Sequence, residues 1–423
     1  MKFKFWRSDH FIVSSGRQLF HMAVAASSYA RYRKRRAKPR AAIVAESLGH
    51  VKDGRVIITG LERHTLELAL ALSEHAVASR LYTCFDPALI FGENAGVNAN
   101  PETAGNMTPM EFYKRLGKDL KRGDIDLLHV PFVGLNAANL FLLGLAPVRV
   151  ITIHDVIPLI FPDYMRPFQR RVHLHLLRWA CRRAHSVLVV SQHTLRDLKR
   201  IGLPVSEKFV VVPNNVDPRF RPQDKTTIEQ IKARHALPQT FILTVGRAAP
   251  HKNIACLVRA VARLRAQHNL DVGLVIAGPK DKHAQSGEIE AELAVLDFPA
   301  WILWLDNIAD EEMPALYCAA SVFAFPSLYE GFGLPPLEAL ACGTPVVCSD
   351  ATSLPEVVGD AALLVDVSDE DAFVDVLFGA MQNENLRLAL RRKGIERAKL
   401  FSREMLAAAV GDAYDAARKR ARM

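Results

Sequence analysis

With 423 residues, half of them hydrophobic and 23% charged, the chain has enough apolar material for two packed domains and too much to be a disordered protein. Its six cysteines are scattered, with no C-x-x-C pair, which argues against a disulfide framework or a structural zinc site and points to a reducing compartment. The formal charge of +9 sits at one end: residues 1–40 hold eleven Lys or Arg against the single acid Asp9, so the remainder is near neutral and no nucleic-acid partner is expected.

Residues 1–40 also contain Phe3, Phe5, Trp6, Phe11, Phe20 and Tyr29. Aromatic residues among cations suit contact with an anionic membrane surface, and a disordered extension is the alternative. The segment lacks the continuous apolar stretch of a signal peptide, and no run in the chain reaches the roughly 18–20 residues needed to cross a bilayer. The expected location is therefore cytoplasmic, including the cytoplasmic face of the inner membrane.

From residue 41 short apolar runs alternate with helical patterns. Strands are expected at 41–45, 80–84, 127–130, 148–153, 187–190 and 209–212, with helices at 63–75, 110–121 and 166–183 between them. The runs are continuous rather than alternating, as parallel strands covered on both faces require. The pattern pauses at V-P-N-N-V-D-P (212–218) and the polar stretch 221–227, where a chain leaves a sheet. A second series follows, with strands at 241–245, 272–277, 302–305, 322–324, 345–348 and 362–365, and helices after Glu384. This is an α/β chain of two Rossmann-like domains joined near residue 215, with a ligand cleft between them.

The strongest chemical signal is S-L-Y-E-G-F-G-L-P-P-L-E-A-L-A-C-G (327–343). Gly331 and Gly333 let backbone N–H groups approach a ligand, and the following helix adds partial positive charge. Pro335 or Pro336 suits its first turn and Gly343 its stop. Glu330 and Glu338 can each accept two hydrogen bonds from a diol. Upstream, T-V-G-R-A-A-P-H-K-N-I (244–254) supplies Arg247, a forked phosphate ligand, and Lys252, a mobile point charge. Two D-x-D strings, 124–126 and 369–371, are read as structural, the second as a helix cap, so no metal is expected.

These motifs resemble glycosyltransferase family 4, retaining enzymes with a GT-B fold, mannosyltransferase-like members included. The likeness covers about residues 41–410 and includes the E-x7-E element Glu330/Glu338, the Gly246, Arg247 and Lys252 element, V-P-N-N-V-D (212–217), and S-D-A-T-S-L-P-E-V-V-G (349–359). It implies a domain of residues 41–215 for the acceptor, one of 216–400 for a nucleotide sugar, and a helix of 401–423 returning to the first. By the same resemblance Glu330 contacts donor-sugar hydroxyls and Glu338 the ribose, while Arg247 and Lys252 hold the diphosphate. Backbone groups at Gly331, Phe332, Gly333 and Leu334 line the sugar–phosphate region, Gly246 belongs to the donor site, and Asn307 and Ile308 lie near the base. His154, ending V-I-T-I-H-D (150–155), is placed beside the transferred sugar; Gly60 and Asp155 lie on the acceptor side. The expected reaction is hexose transfer, mannose from GDP-mannose first and a UDP-hexose second, to a saccharide or lipid-linked acceptor in polysaccharide or lipopolysaccharide synthesis, with no cofactor. A GT-B epimerase or phosphorylase, and a silent saccharide- or nucleotide-binding protein, are the alternatives.

Overall fold

The structure, a computed structural model, describes residues 41–45, 50–52, 55–57, 60–74, 79–83, 109–122, 125–131, 143–161, 164–279, 287–297, 299–306 and 308–423. The basic segment 1–40, Asp124 and Asn307 lie outside the described residues.

The first half runs β1 (Ala41–Ala45), β2 (His50–Lys52), β3 (Arg55–Ile57), α1 (Gly60–Glu74), β4 (Ser79–Thr83), α2 (Pro109–Arg122), β5 (Leu127–Val130), β6 (Val148–Ile153), α3 (Ile157–Ile160), α4 (Pro167–Arg183), β7 (Ser186–Val189), α5 (Gln192–Arg200) and β8 (Phe209–Val211). Six of its strands form a parallel sheet in the order β4-β1-β5-β6-β7-β8. All four residues of β5 and of β7 are buried, the reason their sequences are apolar without alternation. The antiparallel β2–β3 hairpin was not expected: three-residue strands reading HVK and RVI carry almost no periodic signal, and only Asp53-Gly54 marks the turn in sequence.

The second half continues with α6 (Lys225–Arg234), β9 (Phe241–Val245), α7 (Ile254–His268), β10 (Gly273–Ala277), α8 (Gly287–Val295), β11 (Ile302–Leu305), α9 (Met313–Ala319), β12 (Val322–Phe325), α10 (Leu334–Cys342), β13 (Val346–Ser349), α11 (Leu354–Val358), β14 (Leu363–Val365), α12 (Glu370–Gln382), α13 (Glu384–Ala398) and α14 (Arg403–Arg422). Its sheet is parallel, ordered β11-β10-β9-β12-β13-β14. The stretch read as polar linker enters α6, whose start is capped by the Asp224 side chain accepting the Thr227 N–H.

α14 packs against α1, β6 and β7 of the first half, where fully buried Tyr414 bonds His129 of β5. The chain therefore crosses between halves twice, and the crossings touch: the Val216 N–H donates to the Phe401 carbonyl. Arg403 forks onto both carboxylate oxygens of buried Glu67 at 2.7 Å, and Asn215 donates to the same carboxylate at 2.6 Å. The described acids of the two D-x-D strings are tied into the fold. Asp369 caps α12, Glu370 and Asp371 pair with Arg259 and Arg263, and Asp126 pairs with Arg418.

Candidate active site

Sheet order places the site. From β9 the chain moves outward through β10 to β11, then returns to add β12 on the other flank of β9. The loops leaving β9 and β12 therefore meet at a topological switch point, where open α/β sheets bind ligands. At the β9 end Gly246 has φ 151°, and a Cβ on neighbouring Gly278 would stand 2.3 Å from the Gly246 carbonyl oxygen, so glycine is needed for the two ends to close.

A 3₁₀ turn, Pro250–Lys252, then carries Lys252 back across the switch point. Its Nζ lies 2.6 Å from Glu330 Oε1 and 4.8 Å from the centre of the Phe325 ring, with side-chain exposures of 16% for Lys252 and 11% for Glu330. Arg247 is exposed at the same loop, and its guanidinium makes no hydrogen bond or ion pair among the described residues. Burial and the Lys252 charge hold His251 down at about 4, and its Nδ1 hydrogen-bonds with the Tyr164 hydroxyl at 2.5 Å.

The loop leaving β12 enters α10 through Gly333, whose φ of 113° excludes most side chains and whose Cβ would meet Leu354 at 2.7 Å. Phe332 is buried against Phe401, and Leu334 is the first helical residue. Pro335 and Pro336 occupy the first turn, and Gly343 ends the helix at φ 76°. Glu338, one turn in, is buried and accepts from the Tyr317 hydroxyl at 2.8 Å. Ile308 is half-buried against the same core. With Glu338 in the donor-binding role that the family resemblance implies, Glu338→Ala is expected to weaken nucleotide-sugar binding roughly 10- to 100-fold, the range for a lost hydrogen bond to a charged group. Calorimetry checks it, with Tyr317→Phe as the control for the lost internal bond.

From the first half β6 delivers His154, 8% exposed. Its Nε2 lies 2.8 Å from the Pro131 carbonyl oxygen, which only accepts, so Nε2 carries the proton and Nδ1 is left as an acceptor. Its ring packs edge-on to that of buried His64, centroid to centroid 4.4 Å, on α1, the helix that Gly60 opens. Asp155 accepts the Ile157 N–H at 3.0 Å, and burial, then the Glu330 charge, push its carboxyl upward against the pull of Lys252.

The halves meet at Gly331. A Cβ there would stand 2.1 Å from the His154 carbonyl oxygen, and the Ser191 hydroxyl donates to the Gly331 carbonyl at 2.7 Å. Tyr329 donates to Asp197 at 2.6 Å, and the Gln192 N–H to Glu356 at 2.8 Å. His154, Asp155, Lys252, Glu330 and Gly331 thus converge from separate loops. Sequence reading missed Tyr317, Ser191, Thr194, Ser353 and His64; Ser353 lies within the 349–359 string noticed only for its resemblance.

Burial lowers His154 to about 4 and His129 to about 3, from an ordinary 6.5. Both are neutral in the folded protein near pH 7, whereas in the unfolded chain they protonate as pH falls below about 6.5. The unfolded state then binds more protons, so this contribution to stability is intact above pH 6.5 and lost progressively toward pH 4. The melting midpoint is expected to drop between pH 7 and 5, and His129→Gln to flatten that drop. A midpoint insensitive to pH over this window would contradict neutral buried imidazoles.

Two parallel α/β sheets with their switch-point loops turned to a shared cleft constitute the GT-B architecture. Residues 226–397 match the family Glycosyl transferases group 1, and residues 58–220 match Glycosyltransferase Family 4. O-antigen chain mannosyltransferase B of Escherichia coli is 32% identical over 266 residues, 63% of this chain and 69% of that one. MMP alpha-(1->4)-mannosyltransferase of Mycolicibacterium hassiacum is 31% identical over 336 residues, 74% and 77% of the two chains. HepE of Anabaena, solved with UDP-glucose, superposes with a TM-score of 0.70 at 17% identity, covering 88% of this chain and 98% of that one. The chain belongs to the group 1, family 4 glycosyltransferases, and is a hexosyltransferase.

Proposed function

We propose that this enzyme moves a mannosyl group from GDP-mannose to a lipid-linked saccharide, with retention at the anomeric carbon, in polysaccharide or lipopolysaccharide assembly at the cytoplasmic face of the inner membrane. The observation that carries the proposal is the convergence of Lys252, Glu330 and Gly331 with His154 at the switch point. The choice of mannose rests on the two mannosyltransferases above 30% identity.

In this reading Arg247 and Lys252 face the diphosphate, Glu338 the ribose, and Glu330, fixed by Lys252, the sugar hydroxyls. The N–H groups of Gly331, Phe332, Gly333 and Leu334 and the start of α10 add positive potential. Gly246 gives room for the donor, and Ile308, with Asn307, lies toward the base. As the bond from C1 to the diphosphate oxygen breaks, the growing negative charge meets two cations and these dipoles, so no metal ion is required. The acceptor hydroxyl forms the new C1–O bond from the same face and passes its proton to the departing diphosphate oxygen. His154 Nδ1 accepts from a donor-sugar hydroxyl, and Gly60 and Asp155 border the acceptor.

Support for a membrane-borne acceptor comes from α4. It carries five arginines and no acid, exposes Phe168 at 76% with Val172 beside Arg170 and Arg171, and follows directly on Tyr164, which reaches His251 in the cleft. Residues 1–40 add further cations. The test incubates purified enzyme with GDP-mannose, UDP-glucose or UDP-galactose and a polyprenyl-linked oligosaccharide extract. Product mass spectrometry should show one added hexose with GDP-mannose; transfer from a UDP-hexose alone would replace the donor, and free sugar released without acceptor would indicate an epimerase.

A further inference from the structure

The loop between Glu330 and Gly333 turns its three peptide carbonyls toward identifiable hydroxyls. Those of Glu330 and Phe332 lie 2.9 and 2.7 Å from the fully buried Ser353 Oγ, which shares its single proton between them. That of Gly331 points the other way, to Ser191 Oγ at 2.7 Å and Thr194 Oγ1 at 3.2 Å, both on buried residues of the first half. The Glu330 N–H is taken by Thr352 Oγ1 at 3.1 Å, which pins the start of the run.

No cis peptide occurs among the described residues, and in a trans peptide the N–H points opposite to the C=O. Holding the Glu330 and Phe332 carbonyls on Ser353 therefore directs the N–H groups of Gly331 and Gly333 away from Ser353. Holding the Gly331 carbonyl on α5 directs the Phe332 N–H away from the first half. None of these three N–H groups bonds to a described residue. The hydroxyls thus set the aim of donors that no acceptor among the described residues fixes.

We propose that Ser353, together with the Ser191–Thr194 pair, consists of positioning residues that pre-orient the loop N–H groups for the sugar–diphosphate. This deepens the proposed function and rests on its reading that those N–H groups face the donor. Preset dipoles avoid reorganisation when charge arrives, so losing the restraint weakens donor binding without removing any group that touches the donor. Because Ser191 and Thr194 belong to the first half, one of the three N–H directions depends on the halves being in contact.

The test compares the full-length enzyme with Ser353→Ala and Ser353→Cys, the latter keeping volume but donating only weakly. Calorimetry with GDP-mannose, and donor KM and kcat with a fixed acceptor, are the readouts, alongside melting midpoints. Both variants should lose about tenfold or more in donor affinity and raise donor KM, whereas Ser353→Thr, which restores a hydroxyl, should recover at least part of it. Wild-type affinity in the Cys variant, with Ala changed only in its melting midpoint, would make Ser353 merely structural and overturn the proposal. Failure of the wild-type enzyme to bind GDP-mannose, GDP, UDP or UDP-glucose would overturn the donor-site reading itself, a distinguishable result.

Discussion

Lys252→Ala is expected to lower kcat by about 10²–10³, the range seen when one pre-set stabiliser of developing negative charge is removed. In the resting enzyme its Nζ lies 2.6 Å from Glu330 Oε1, with both side chains largely out of water. The deletion therefore has two consequences. On the proposed mechanism it removes a cation from the leaving-group side, and it leaves the Glu330 carboxylate in a partly dry cleft without its partner, which also destabilises the fold. Lys252→Arg keeps the charge but exchanges a compact ammonium for a planar fork, so only partial recovery is expected. Steady-state release of nucleoside diphosphate at saturating donor and acceptor measures the effect. A kcat within about threefold of wild type would remove Lys252 from the charge-stabilising role.

Gly331→Ala is expected to be at least as damaging, for a steric reason. The added Cβ would stand 2.1 Å from the carbonyl oxygen of His154 and 2.9 Å from Asp155 Cβ. The nearest obstacle is backbone, so no flexible side chain can yield. The two halves must separate or the loop must shift, and either displaces Glu330 and the neighbouring N–H groups from His154. A displacement of about 1 Å can cost on the order of 10² in rate, and overpacking of this kind typically costs about 1–3 kcal/mol in stability. Gly287→Ala serves as the control, since no atom of the described residues lies within 4 Å of its added Cβ. The expected result is loss of kcat/KM by about 10² or more in the Gly331 variant and near-wild-type behaviour in the Gly287 variant. Equal activity in both would mean that the contact at His154 is not needed for turnover.

Most strands were legible because parallel sheets buried on both faces leave continuous apolar runs. The expected bounds 127–130, 148–153, 241–245 and 302–305 match β5, β6, β9 and β11. α10 was legible from its proline-bearing start and its glycine stop, both of which have local conformational causes. The β2–β3 hairpin and α6 were not, since neither carries an apolar stripe strong enough to rise above its polar neighbours.

In the candidate site, the residues lying on one motif, Glu330, Gly331, Gly333 and Glu338, could be named from their spacing. Which side chains they pair with could not, even where the partner, Lys252, was itself named. Lys252 and Glu330 are 78 positions apart, and Ser191 and Gly331 are 140 apart. Such pairs are created by strand order and by the closure of one half on the other, neither of which leaves a local trace. The orientation of His154 is of the same kind, because its tautomer follows from the carbonyl of Pro131 on another strand's end.

Titration of the purified enzyme with GDP-mannose and with GDP by calorimetry tests the central claim most directly, alongside an Arg247→Ala/Lys252→Ala double variant. Saturable one-to-one binding, weakened by about 10² or more in the double variant, is the result predicted for a diphosphate held by these two cations. Absence of heat with every nucleoside diphosphate and nucleotide sugar tried, or equal affinity in the double variant, would contradict it.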